Sequence, residues 1–197
     1  MSARSPDPAP PAALVCEPLT PERWGDLEAL FGANGACAGC WCLWWRLSAG
    51  AWRRGAGEGN RQALRALVDG GDVPGLLGYV DGTPAAWCSL GPRGRFPRFD
   101  RSSIARPVDD QPVWTVVCFF VARGYRGRGL TQALLRAAVA WAGDQGARIL
   151  EAYPIDAAGK RRRDDALWTG LASTFRAVGF QEVARRGPTR PVLRYFI

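Results

Sequence analysis

The sequence predicts an α/β (α+β) fold in a single domain, a mixed central sheet of about seven strands flanked by about four helices. Three features carry this. The apolar run Val113–Val121 meets a Gly- and Arg-rich turn, and an amphipathic helical pattern then continues to Trp141. Strand, turn and helix in that order make the crossover unit of a partly parallel sheet. Upstream, the strand-like runs Gly75–Val80 and Ala85–Leu90 flank Asp81-Gly82, a strong hairpin-turn dipeptide. Downstream, a helical run closed by Gly179 leads into two last strand-like segments.

The elements follow in order. Residues 1–12 are Pro- and Ala-rich, lack the apolar middle of a signal peptide and read as a tail; residues 13–197 read as the domain. Leu14–Leu19 fits a first strand. Thr20 and Pro21 suit a helix cap and first helical position, and Trp24, Leu27, Leu30 and Phe31 recur with helical spacing. A Cys/Trp-rich segment, Cys37–Trp45, follows, and Gly55–Gly59 reads as a flexible joint. Asn60–Val68 fits a second helix with Leu64, Leu67 and Val68 inward. After the hairpin, Gly91–Gln111 is polar and Pro-rich, a long loop with one helical turn expected near Arg101–Ser103. In the helix after Gly129, Leu130, Leu134, Ala137, Ala138 and Trp141 form the expected inward face. Ile149–Tyr153 reads as a short buried strand, Asp156–Asp165 as a charged loop and Ala166–Val178 as a helix. Phe180–Ala184 and Val192–Phe196 are the closing strands, joined by a Gly187-Pro188 turn.

Composition narrows the chemistry. The formal charge is +8, and Lys160 is the sole lysine among the cations. The chain has no histidine, which excludes serine–histidine and cysteine–histidine catalysis and removes the commonest metal ligand. No run of about 18 apolar residues suits a membrane span. Six cysteines in a chain this long fit free thiols in a reduced, cytoplasmic protein better than a disulfide scaffold.

The turn Arg123-Gly124-Tyr125-Arg126-Gly127-Arg128-Gly129 has the chemistry of a phosphate cradle. Glycines let the main chain approach an anion, a helix start presents unpaired N–H groups, and Arg126 and Arg128 add charge. Glu151 sits mid-strand, where a charge is costly unless used or paired. It is the candidate general base, or else a carboxylate paired to an arginine. Tyr153 shares its face and is a candidate proton donor or a packing residue. Cys118 reads as a nucleophile or a buried inert thiol. Cys37, Cys40 and Cys42 resemble part of a zinc site, but with no histidine to complete it no metal is expected. Lys160–Arg163, followed by Asp164-Asp165, reads as a solvated loop; nucleic acid is not the expected partner.

Arg126, Gly129 and Thr131, spaced as in a pyrophosphate loop, and the ending Phe175–Phe180 with its Gly179-Phe180 step make the chain resemble the GNAT superfamily of acetyl-CoA-dependent N-acetyltransferases. The resemblance spans residues 14–197. It implies a GNAT-like sheet and acetyl-CoA as co-substrate. It implies acetyl transfer by direct attack of a primary amine of a small molecule or peptide. Phe119, Phe120 and Val121 would offer main-chain groups to the pantetheine arm. An N–H near Cys118–Phe120 would polarise the acetyl carbonyl. Arg126, Gly127, Arg128, Gly129, Leu130 and Thr131 would wrap the pyrophosphate. Trp41, Trp44 and Trp45 would wall the acceptor pocket, or pack between helices, and Arg46 would orient an acceptor carboxylate or lie in solvent. Homodimers, common in that superfamily, are a further implication. The sequence departs from the pattern at Thr131, usually Gly or Ala, and at Phe175, where a tyrosine acid usually stands. Phe175 keeps a second reading open, a degenerate acetyl-CoA-binding sensor; the basic charge keeps a third, a nucleic-acid-binding module.

Overall fold

The computed structural model describes residues 14–157 and 167–197. The tail and the basic run Lys160–Arg163 lie outside the described residues. A seven-stranded sheet has the order β1-β2-β3-β4-β5-β7-β6, built from β1 (Leu14–Pro18), β2 (Gly75–Val80), β3 (Thr83–Pro92), β4 (Trp114–Val121), β5 (Ile149–Ala152), β6 (Gln181–Arg185) and β7 (Pro191–Phe196). Every neighbouring pair is antiparallel except β4 and β5. The β4–β5 connection carries α4 (Leu130–Asp144), the crossover helix that parallel pairing demands. Among the described residues the other α-helices are α1 (Trp24–Phe31), α2 (Ala49–Arg54), α3 (Glu58–Asp69) and α5 (Ala172–Val178).

Strand alternation divides the core. Leu76, Val80, Cys88 and Leu90 join Leu130, Leu134, Leu135 and Ala138 of α4 on one face. Leu77 and Trp87 meet Trp24, Leu27 and Leu64 of α1 and α3 on the other. A third cluster gathers Trp45, Phe96, Phe99 and Tyr153 over the far half of the sheet. In α4 the buried stripe is Leu130, Leu134, Leu135, Ala138 and Ala142, so Leu135 and Ala142 replace the expected Ala137 and Trp141. Those two lie at the helix margin, where Trp141 meets Trp114 edge-on at 5.4 Å.

One element was not foreseen, and three expectations are corrected. Residues 49–54 form a helix, α2, whose first turn Ser48 caps through its hydroxyl. Glu58 and Gly59 belong to α3 and not to a flexible joint. The helical turns of the long loop fall at Arg93–Arg95 and Pro97–Arg101, ahead of the expected position. The helix expected from Ala166 begins at Ala172: Gly170 takes φ +81°, the Trp168 carbonyl accepts the Phe119 N–H at 2.7 Å, and Leu171 bridges to Ile155. Main-chain groups used between strands cannot also make a helix.

Candidate active site

β4 and β5 pair only from Trp114↔Leu150 to Val116↔Ala152. Beyond Val116, β4 continues to Val121 while β5 ends at Ala152, so the sheet splits. A bulge marks the split: Ser89 pairs with Cys118 and Leu90 with Val116, leaving Val117 as the extra residue. Bulges re-aim side chains and end pairing beside sites of this kind. A cavity of about 640 Å³ opens along the split edge, lined there by Cys118, Phe119, Phe120 and Val121.

One end of the cavity reaches the start of α4, where Arg126 and Thr131 line it. The chain enters this helix through Gly127 (φ +76°) and Gly129 (φ +75°), conformations that a side chain would strain. A Cβ built at either glycine meets nothing within 4 Å, so the ground before the helix is open. The Gln132 and Ala133 N–H groups donate to the Gly129 carbonyl, and the Leu130 and Thr131 N–H groups ahead of them have no acceptor within the helix and stand at the positive end of its dipole. Arg126 donates from Nε to the Val121 carbonyl at 3.1 Å, tying the turn to the split strand. The Arg128 guanidinium lies 5.3 Å from the Tyr125 ring centre. Leu130 points into the core. The turn therefore has space, donors and charge suited to a diphosphate.

The other end is aromatic. Trp44, Trp45, Trp52 and Trp168 line it together with Cys37 and Cys40. Trp44 and Trp52 meet edge-to-face at 5.0 Å, and Trp45 lies 5.8 Å from Trp168. The segment that delivers Trp44 and Trp45 is strained, with Ala36, Ala38, Trp41 and Cys42 all at positive φ. Trp41 turns inward instead, stacked on Trp24 at 6.1 Å, and contributes to the core rather than to the cavity wall. Arg46 is likewise drawn inside, donating to the Pro74 and Leu90 carbonyls with its guanidinium 4.6 Å from the Phe96 ring centre. Burial pulls its pKa down to about 10. The thiols of Cys42 and Cys118 sit 3.4 Å apart in the cavity wall. That hydrogen bond and burial both push the Cys42 pKa well up. All six cysteines are free thiols, and among the described residues no group of three or more His, Cys, Asp or Glu could hold a metal ion.

Glu151 and Tyr153 are not part of the lining. Glu151 is fully buried opposite Arg194 in the β5–β7 ladder. It accepts from Arg194 Nε at 2.7 Å and from the Tyr153 hydroxyl, and Arg93 approaches to 3.6 Å. Arg194 reaches on to both oxygens of Asp109, at 2.6 and 2.9 Å. Burial, then the neighbouring Glu151 charge, pushes the Tyr153 hydroxyl far above its ordinary pKa. The Phe119 N–H, the one amide of Cys118–Phe120 that alternation turns toward the split, is held by the Trp168 carbonyl. Trp52, Trp168 and Thr174 line the cavity without having been singled out in the sequence: Trp52 rides on the unforeseen α2, Trp168 precedes the true start of the last helix, and Thr174 lies in that helix where it was expected.

The family model of the acetyltransferase (GNAT) family matches residues 41–161. That stretch contains the split strand, the glycine-framed turn and α4, and the chain belongs to this family of acyltransferases. No curated protein matches the chain. Among solved structures, it is similar to a GNAT-family acetyltransferase from Listeria monocytogenes (TM-score 0.55, 10% identity, 93% of this chain and 95% of that one). It is also similar to the PaiA N-acetyltransferase of Thermoplasma acidophilum in complex with coenzyme A (0.52, 12%, 94% and 99%). The ribosomal-protein-alanine N-acetyltransferase of Brucella melitensis is a third likeness (0.52, 16%, 93% and 99%). At such identities these likenesses speak for the fold alone. No described helix is long and apolar enough to cross a membrane.

Proposed function

We propose that this chain transfers an acetyl group from acetyl-CoA to a primary amine of a small molecule or peptide by direct attack. One observation carries the reading: a single cavity joins the glycine-framed start of α4 to the split edge of β4 and ends among tryptophans. The coenzyme A bound by the Thermoplasma neighbour supports the same cofactor for this fold. When bound, acetyl-CoA supplies an acetyl carbon activated as a thioester. Arg126, the Gly127–Gly129 main chain and the Leu130 and Thr131 amides hold the diphosphate, while Arg128 flanks the turn. The split edge of β4, with Phe119 and Phe120 behind it, aligns the pantetheine arm. Val121 follows Phe119 on that edge, and its N–H is the donor we assign to the acetyl carbonyl, a fixed dipole where charge develops.

Glu151, Tyr153 and Arg46 have structural roles in this reading, as does Trp41. The Phe175 ring lies in the core 5.9 Å from Phe119 and has no proton to give, so water protonates the departing sulfur.

Calorimetric titration with coenzyme A tests the proposal. Saturable binding is expected, and Gly129→Val, which strains a left-handed turn at a stability cost of about 1–3 kcal/mol, lowers affinity at least about tenfold when measured well below the variant's own melting temperature. An absence of binding in the unchanged protein refutes the reading; equal affinity in the variant refutes the loop assignment.

A further inference from the structure

Four of the six cysteines, Cys37, Cys40, Cys42 and Cys118, line the cavity. Two of them meet: the Cys42 and Cys118 sulfurs are 3.4 Å apart, with the Cys42 thiol donating to the Cys118 sulfur. They stand 76 residues apart in the chain. Cys118 belongs to the split strand β4, and Cys42 to the segment of positive φ that also delivers Trp44 and Trp45. A disulfide is about 2.05 Å long, so joining the pair asks each sulfur to move by roughly 0.7 Å. Cys118 directly follows the bulge residue Val117, where pairing with β3 is interrupted and the strand can adjust.

The two thiols differ in setting. Cys42 is buried, and its hydrogen bond to Cys118 together with that burial keeps the proton on its sulfur. Cys118 is half-buried in the cavity wall. A small oxidant in the cavity therefore meets Cys118, with Cys42 in hydrogen-bond contact as the second thiol, the arrangement of an attacking and a resolving cysteine.

We propose that Cys42 and Cys118 form a site of reversible oxidation by peroxide in the cavity wall, open while the cavity is empty and covered when acetyl-CoA fills it. The Cys118 sulfur attacks one peroxide oxygen. The O–O bond breaks, Cys118 becomes a sulfenic acid, and the other oxygen leaves as water with the Cys118 proton. The Cys42 sulfur then attacks the Cys118 sulfur. The S–O bond breaks, the hydroxyl leaves as a second water with the Cys42 proton, and the disulfide forms. Two thiols lose two electrons and one peroxide becomes two waters; a dithiol reductant reverses the bond. The disulfide fastens the segment carrying Trp44 and Trp45 to the central strand. The covering by acetyl-CoA rests on the transferase reading above, because Cys118 precedes Phe119 on the edge assigned to the pantetheine arm; the bond between the sulfurs does not.

The experiment treats the reduced full chain with hydrogen peroxide, with and without acetyl-CoA at ten times its Kd, about that ratio leaving roughly one site in eleven empty. Remaining thiols are alkylated, and peptides are mapped without reduction by mass and fragment spectra. The expected product is a Cys42–Cys118 cross-link, lost on treatment with dithiothreitol and formed about tenfold more slowly with acetyl-CoA present. In Cys42→Ser, dimedone traps a sulfenic acid on Cys118; in Cys118→Ser, neither cross-link nor dimedone adduct forms at Cys42. A cross-link between Cys37 and Cys40, or oxidation confined to the exposed Cys37, in place of the expected product overturns the inference. A dimedone adduct on Cys42 in Cys118→Ser overturns the order of attack. An equal rate with acetyl-CoA bound overturns the covering. Acetyl-CoA that does not bind at all removes the transferase reading, while the cross-link in the unchanged protein still stands or falls on the peptide map, whatever the variants do.

Discussion

Glu151 and Arg194 face one another across the β5–β7 ladder, with side chains 1% and 3% exposed. Two charges taken from water attract strongly but lose hydration, so the pair adds little net stability while the loss of one partner strands the other. Arg194→Met is therefore expected to destabilise the fold by about 3–5 kcal/mol, and Glu151→Leu combined with Arg194→Met to recover much of that. Denaturant unfolding of the two singles and the double checks this. Coenzyme A affinity stays level in whichever variants fold, since neither residue lines the cavity. The sequence marked Glu151 as an anomaly, a charge inside an apolar strand. It left the choice between base and ion pair open, because the deciding partner lies 43 residues away and is brought opposite only by sheet register. Trp41, Trp44 and Trp45 show the same limit. Adjacent indoles look alike in a string of letters, and the left-handed turn at Trp41 and Cys42 sends one into the core and two to the cavity.

Elements with strong local signals were legible. Asp81 and Gly82 both take positive φ, 49° and 74°, and join Val80 to Thr83 in a two-residue hairpin of the type that dipeptide favours. The turn into α4 follows the same logic through Gly127 and Gly129. The misplaced start of α5 shows where local signals fail. Nothing near Ala166 announces that the Trp168 carbonyl will serve β4, and the decisive residue is Gly170. Its φ is +81°, and an added Cβ would lie 2.8 Å from the Phe175 ring and 3.2 Å from that of Phe119. Gly170→Ala is expected to destabilise by about 1–3 kcal/mol through strain and overpacking. Because Trp168 stands next to this hinge, the acceptor wall loosens with it. Urea unfolding measures the first effect, and the KM for the acceptor, set against unchanged coenzyme A affinity, measures the second.

Over the whole molecule, the excess of arginine is worked into ion pairs that tie distant parts of the chain together. Arg61 holds Glu28 and Glu58, Arg185 holds Asp156 and Glu182, and Arg194 pins Asp109 of the long loop to the sheet. Hydrogen bonding to Arg194 lowers the Asp109 pKa from 3.8 to about 2, and arginine partners lower Glu182 from 4.5. A carboxyl whose pKa is depressed by folding adds stability in full above its unfolded value, and that stability is lost as pH falls through the folded value. The acid edge therefore begins below about pH 4.5 and steepens between 3.8 and about 2 as Asp109 releases the loop. Above it, the absence of histidine removes the one side chain that ordinarily titrates between about pH 5 and 8, and the raised thiols of Cys16, Cys40, Cys42 and Cys88 remain protonated there. The melting temperature is expected to form a plateau from about pH 5 to 8 and then fall at the acid side, with Asp109→Asn lowering the plateau and flattening the drop between 3.8 and about 2. Scanning calorimetry across pH, on the protein and this variant, decides the matter. A midpoint that moves steadily through pH 6 to 7, or a variant with an unaltered acid edge, would show that the arginine pairs do not govern the pH response of this fold.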